Sequence, residues 1–132
     1  YGSTKYLETN GFPKTINELN KHKFISYGRG APSPVFNPDW ALKLGTKDNK
    51  KRKPIMKVNS VYGLLLAVQS GVGLAALPDY ITVSVPNIVK VLPQISGPRT
   101  EVHFVYPKSL KNVTRVQIFR NFLYSKINEW KF

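Results

Sequence analysis

Residues Lys57 to Tyr80 read KVNSVYGLLLAVQSGVGLAALPDY. The order is a strand end, a short apolar helix, a two-glycine turn, a second buried strand and a proline stop. Pro54 to Val58 is a brief β-prone run leading into it. Asn59 and Ser60 place two N-cap residues in succession, whose side-chain oxygens accept from the free N–H groups of a first helical turn. Val61 to Gln69 is apolar around its circumference, which predicts a helix covered on both sides. Gly71 supplies the left-handed residue that closes a helix, and Gly73 permits a tight turn into Leu74-Ala75-Ala76-Leu77. That run is almost free of polar atoms, as an inner parallel strand is, and Pro78 ends it.

Outward from this unit, strands and helices alternate. On the N-terminal side, Ser3 caps a predicted helix over Thr4–Asn10, closed by Gly11. Thr15-Ile16-Asn17-Glu18 has the spacing of a capping box at the start of a second helical turn, and Phe24 to Tyr27 reads as a strand. Gly28 to Pro38 holds two glycines and three prolines, which makes it a loop, placed directly after a strand where α/β proteins put ligand contacts. Trp40, Leu42 and Leu44 alternate, predicting a strand over Asp39–Leu44 with one buried face. The polar turn Gly45–Lys53 is short enough to make Pro54–Val58 its antiparallel partner.

On the C-terminal side, Asp79 to Val85 reads as one or two helical turns broken by Pro86-Asn87, and Ile88 to Leu92 as a short edge strand. Pro93 to Pro98 is a loop. Glu101-Val102-His103-Phe104-Val105-Tyr106 carries the strongest strand signal in the chain, ended by Pro107. Val113, Val116, Phe119, Phe122, Leu123 and Ile127 recur at helical spacing, predicting a last helix as far as Trp130. The alternation points to an α/β domain with a mixed, mostly parallel sheet flanked by helices, in which ligands sit beyond the carboxyl ends of the strands.

The 132 residues suffice for a sizeable core without staples. With no cysteine there is no disulfide and no thiolate metal site, in keeping with a reducing cytoplasm. No apolar run approaches a membrane span, and no secretory pattern opens the chain. Tyr1-Gly2-Ser3 lacks an initiator Met, so the chain is expected to begin within a longer protein. Lys and Arg outnumber Asp and Glu by 20 to 7, a formal charge of +13. An excess of this size favours polyanionic partners, but the charges are scattered except at Lys47 to Lys53. That cluster has no interleaved aromatics for base stacking and reads first as a solvated turn, second as a polyanion patch.

Catalytic and metal-binding sets are thin. His103 lies inside a strand pattern and His22 between two lysines, and both read as structural or solvated. The seven acids (Glu8, Glu18, Asp39, Asp48, Asp79, Glu101, Glu129) form no carboxylate pair or cation loop at motif spacing. Gly71-Val72-Gly73 closes a helix and opens a strand, the reverse of a dinucleotide fingerprint. There is no nucleophile elbow and no phosphate loop. These observations argue against an enzyme and predict no metal and no cofactor. The Asn59-Ser60 turn is the best candidate site: N–H groups at a helix start, two polar side chains and the helix dipole suit an anion or carboxylate. Arg29 can add charge-assisted hydrogen bonds. Plain helix capping is the competing explanation.

The order of these motifs resembles the effector-binding domain of LysR-type transcriptional regulators, in its later part. The resemblance runs through Tyr6-Leu7, Gly11 and Pro13, through Glu18-Leu19 to Phe24-Ile25-Ser26-Tyr27, and through Val58-Asn59-Ser60. It continues in Gly71-Val72-Gly73-Leu74-Ala75 with Leu77-Pro78, then Val91-Leu92-Pro93, Val105-Tyr106-Pro107 and the closing helix Phe119 to Leu123. It implies a fold like the type 2 periplasmic binding proteins, two α/β subdomains holding a small-molecule effector in their cleft, and no catalysis. Residues 1–100 then correspond to the second subdomain, and residues 101–132 to a returning strand and C-terminal helix that rejoin the first. Carried onto this chain, the effector-binding residues are Tyr27, Gly28, Arg29, Asn59, Ser60 and Val61.

The family's helix-turn-helix, its linker helix and the first half of its first subdomain have no counterpart in these residues. DNA is therefore expected as a partner only through a helix-turn-helix domain absent from this chain, and the full-length protein is expected to be a cytoplasmic homo-oligomer. Ser60 stands where many members carry Asp, which favours an anionic effector group. The apolar stripe of the last helix is expected to pack on its own subdomain or in a dimer. Two other readings compete: a lobe of an exported solute-binding protein, and a basic nucleic-acid-binding module.

Overall fold

The computed structural model describes residues 1–28, 39–47, 50–99 and 101–129. The chain divides into two compact units, Tyr1–Arg99 and Thr100–Phe132.

In the first unit, β1 (Gly2–Ser3) pairs antiparallel with β4 (Ile88–Val89). The backbone of β1 is closely packed, since a Cβ on Gly2 would come within 2.6 Å of Leu74 Cδ2. Ser3 then caps α1 (Thr4–Asn10), its Oγ accepting from the Tyr6 N–H at 3.3 Å. Gly11 closes the helix at φ +86°, donating its N–H to the Leu7 carbonyl. The Glu18 N–H donates to Thr15 Oγ1 as predicted, but the Glu18 carboxylate accepts from the Thr15 hydroxyl and the Lys14 N–H, and the turn that follows, Asn17–Lys21, is 3₁₀ rather than α.

The sheet strand β2 (Ile25–Tyr27) pairs parallel with β3 (Met56–Val58), Ile25 opposite Met56 and Tyr27 opposite Val58. On its other side the Ile25 N–H donates to the Leu74 carbonyl and the Leu74 N–H to the Lys23 carbonyl, each at 2.8 Å. The approach is so close that a Cβ on Gly73 would stand 2.6 Å from the Lys23 carbonyl oxygen. The Ala75 N–H in turn donates to the Tyr1 carbonyl. Side chains alternate across this layer. Phe24 and Leu74 join Tyr6, Leu7, Leu19, Leu42 and Leu92 in one core. Ile25 and Ala75 join Leu64, Leu65, Val68 and Leu77 in the other. The backbone layer is thus covered on both faces, the arrangement that an α/β sequence needs to bury its central strands.

Helix α3 runs over Val61–Gln69, with Ser60 as N-cap and Gly71 left-handed at φ +78° just beyond it. It packs tightly on β3, for a Cβ on Gly63 would meet Val58 Cγ1 at 2.7 Å.

Several sequence expectations are corrected. Residues Asp39 to Leu44 are not a strand: Trp40–Lys43 form a short helix, α2. Trp40 and Leu44 are spaced as well for one helical turn as for alternation. The tie-breaker is Arg52, whose Nη1 binds the Leu44 and Ala41 carbonyls at 2.7 and 3.3 Å. It thereby satisfies oxygens that a helix C-terminus leaves open. Pro54–Val58 accordingly loses its expected antiparallel partner, and its Met56–Val58 portion pairs parallel with β2, the 28 residues between giving room for the crossover that parallel pairing demands. The expected single sheet is small and split: among the described residues there are two two-stranded sheets, one antiparallel and one parallel. Leu74–Leu77 is buried as expected but makes only an isolated parallel bridge, Leu74 to Phe24, although Ala76 within it is less enclosed. Nor is α3 covered on both sides, because Tyr62 and Leu66 face solvent. The turn after Pro78 is 3₁₀ over Asp79–Ile81.

In the second unit Glu101–Tyr106 is not a strand. No ladder pairs with it among the described residues, and Val102 and Val105 are 86% and 83% exposed. Phe104 instead stacks its ring near Tyr106 and Phe119. Helix α4 spans Thr114–Glu129, and none of its residues is buried in the single chain. Trp130 lies outside the described residues.

Candidate functional site

The ends of β2 and β3 bring the predicted residues together from about 30 positions apart in the chain. Tyr27 lies opposite Val58. The Gly28 N–H donates to the Val58 carbonyl at 2.8 Å, which carries the parallel ladder one step past the strand. A Cβ on Gly28 would sit 3.6 Å from the Asn59 nitrogen, so the β2 exit runs directly beside the Asn59–Ser60 turn. Both lie at the carboxyl ends of parallel strands, the place where open α/β layers bind ligands. Arg29, the sixth predicted residue, lies outside the described residues, as does the loop 29–38 that contains it.

Ser60 is extended (φ −136°, ψ 133°) and its Oγ accepts from the Gly63 N–H at 3.3 Å. The Leu64 N–H donates to the Ser60 carbonyl. Ser60 is therefore a helix cap, and its oxygen is engaged. What the cap leaves over are the N–H groups of Val61 and Tyr62, which neither the helical ladder nor the Ser60 side chain can take up. They carry the positive end of the α3 dipole, with no acidic residue in the first turn to neutralise it. Asn59 and Ser60 are exposed, while Tyr27, Gly28 and Val61 are half-buried. Such a place suits an anionic group that accepts from backbone donors.

The other polar candidates are placed elsewhere. His103 is exposed and lies 3.5 Å from Glu101. His22 packs near the Tyr6 ring, and burial pushes its imidazole pKa down. Among the described residues no group of three or more His, Asp and Glu is arranged to hold a metal ion. The basic cluster is not a uniformly solvated turn. Arg52 folds inward over the Phe24 ring, its Nε bound to Asn20 Oδ1 at 2.9 Å. By charge alone it is indistinguishable from its lysine neighbours. Only its planar, many-donor head, able to hold several oxygens at once, set it apart.

Comparison with known proteins decides the family. The family model described as the LysR substrate binding domain matches residues 3–127. The chain belongs to that family. It is also 33% identical over 109 residues to an uncharacterized HTH-type transcriptional regulator of Haemophilus influenzae, a match covering 80% of this chain and 36% of the relative. The chain thus spans little more than a third of that relative's length. No solved structure gives a significant match. A LysR substrate-binding domain points to a non-enzymatic protein of mixed α/β build. No helix among the described residues is long and apolar enough to cross a membrane.

Proposed function

We propose that this LysR substrate-binding domain senses a small anionic effector, with a carboxylate or similar group seated at the β2–β3 exit. The observation that carries the reading is the meeting of Tyr27-Gly28 with Asn59-Ser60 at the start of α3, where the Val61 and Tyr62 N–H groups have no acceptor among the described residues. Ser60 holds the turn rather than the ligand, while Asn59, Tyr27 and Arg29 supply side-chain contacts. The second wall of the cleft belongs to a first subdomain, with residues 1–100 forming the second and residues 101–132 the return to the first. Effector binding shifts the two subdomains and alters how a helix-turn-helix domain outside this chain sits on DNA, in a cytoplasmic homo-oligomeric regulator.

Val61→Pro is the direct test. Proline at the first helical position keeps the helix, and the extended Ser60 before it is already compatible. The substitution removes one N–H from the turn and exchanges the half-buried valine side chain for an apolar ring of similar size. Carboxylates that raise the melting temperature of the full-length regulator should lose about tenfold in affinity in Val61→Pro. Equal affinity in the variant and the parent would remove the turn from the site.

A further inference from the structure

Alternation along β2 sends Ser26 to the face of Phe24, away from α3. Its register partner on β3 is Lys57. On that face Ser26, Lys57 and the segment Lys50–Pro54 line a cavity of about 420 Å³, together with Leu42 and Tyr27. A volume of this order suits a small molecule. Lys50, Lys51, Arg52, Lys53 and Lys57 all contribute to the lining. Its carboxylate, Asp39, is held by Lys51 at 2.8 Å. The remaining field is strongly positive.

Charge alone would mark only a solvated rim. Two residues of the lining hold something more specific: among the described residues, Ser26 Oγ and Arg52 Nη2 are both buried without a hydrogen-bond partner. Ser26 is 5% exposed. An unpaired buried hydroxyl destabilises a fold, and native structures rarely keep one without a use. Arg52 is held rigidly, since its Nε and Nη1 are bound to Asn20, Ala41 and Leu44. Its remaining nitrogen is thus fixed in place as a donor. Burial also pulls the guanidinium pKa down, as expected for a cation without an anionic partner.

We propose that this cavity binds a small phosphorylated molecule, with Ser26 Oγ and Arg52 Nη2 donating hydrogen bonds to the phosphate and Lys53 and Lys57 supplying charge. A hydroxyl, a fixed guanidinium nitrogen and an excess of lysines suit a multiply charged group with several acceptor oxygens better than a single carboxylate. A duplex backbone fits less well, because Ser26 and Arg52 line a concavity instead of a ridge. The site is separate from the effector turn: among the described residues of that turn only Tyr27 lines the cavity, and Asn59, Ser60 and Val61 do not.

The test is titration of the full-length regulator with inorganic pyrophosphate at fixed ionic strength, followed by calorimetry. Saturable binding is expected. Ser26→Ala should weaken it at least fivefold without loss of melting temperature, because the substitution removes an unpaired buried hydroxyl. Lys57→Gln should weaken it about threefold or more, whereas Val61→Pro should leave it unchanged. The last result separates this site from the effector turn, so either proposal can fail alone. Absence of saturation, unchanged affinity in Ser26→Ala, or displacement of pyrophosphate by a non-specific duplex that binds more tightly would each overturn the proposal. The last outcome would make the lysines a nucleic-acid patch, with a steep salt dependence to match.

Discussion

Leu74–Leu77 and Glu101–Tyr106 both carry strand-forming sequences, yet they end in opposite conditions. The first is held between Lys23–Ile25 on one side and Tyr1 on the other by hydrogen bonds of 2.8–3.0 Å, with Leu74, Ala75 and Leu77 buried. The second has the cleaner alternation but no ladder among the described residues, and its valines are more than four-fifths exposed. Pattern prepares a segment to be a strand; a neighbouring edge makes it one. Backbone N–H and C=O groups gain nothing from an extended conformation until another strand accepts them.

That contrast can be broken by experiment, beginning where the effect is largest. Leu65→Ala, in the core that Ala75 and Leu77 share, should cost about 3 kcal/mol in chemical denaturation. A loss below about 1 kcal/mol would mean that the Leu74–Leu77 layer is not the organising core. Gly73→Ala should cost about 2 kcal/mol, because its methyl group would press on the Lys23 backbone oxygen rather than on a side chain that can move. Ser60→Ala should cost about 1 kcal/mol through loss of the α3 cap, with Ser60→Gly milder. Equal effects of the two would argue against capping.

A smaller effect is expected in acid. Burial pushes the Asp79 carboxyl up, but hydrogen bonds from the Tyr1 hydroxyl and the Lys90 ammonium outweigh it and hold the group below its ordinary range. A depressed folded-state value means that the stabilisation is complete above the ordinary carboxylate pKa and disappears as pH falls through the folded one, thus below about pH 4. Since the Asp79 side chain is 43% exposed, solvent screening keeps the loss under about 1 kcal/mol. Asp79→Asn should flatten the pH dependence in that window. The smallest effect belongs to the other side of the comparison: Val102→Ser should change stability by no more than about 0.5 kcal/mol. In the same spirit, the amides of Ile25 and Leu74 should exchange far more slowly with deuterium than those of residues 102–105. Protection at Val105 equal to that at Leu74 would show a ladder where the described residues form none.

Much of the first unit was legible residue by residue. Ser3, Gly11, Ser60 and Gly71 mark helix ends through local chemistry, a side-chain oxygen facing free N–H groups or a left-handed turn. These signals act over three or four residues, so they hold whatever the rest of the chain does. The meeting of Tyr27-Gly28 with Asn59-Ser60 was also expected, on the strength of the family resemblance. Asp39–Leu44 was misread because six residues fit both periods, and the choice rested on a guanidinium eight positions beyond Leu44. The cavity around Ser26 had only the weak signal of the lysine-rich turn, whose second reading is a polyanion patch, since a serine inside a strand is ordinary.

The sequence by itself therefore determined the helix caps, the glycine turns, the apolar unit Val61–Leu77, the charge and the family. Tertiary structure alone decided which strand lies beside which, and in what direction. It also decided that Arg52 turns inward while its neighbours stay in solvent, and that Glu101–Tyr106 joins no ladder among the described residues. The division has one physical cause. Capping and turn chemistry are satisfied by atoms a few residues away, whereas ladder hydrogen bonds and buried cations need partners that only the folded chain brings within reach.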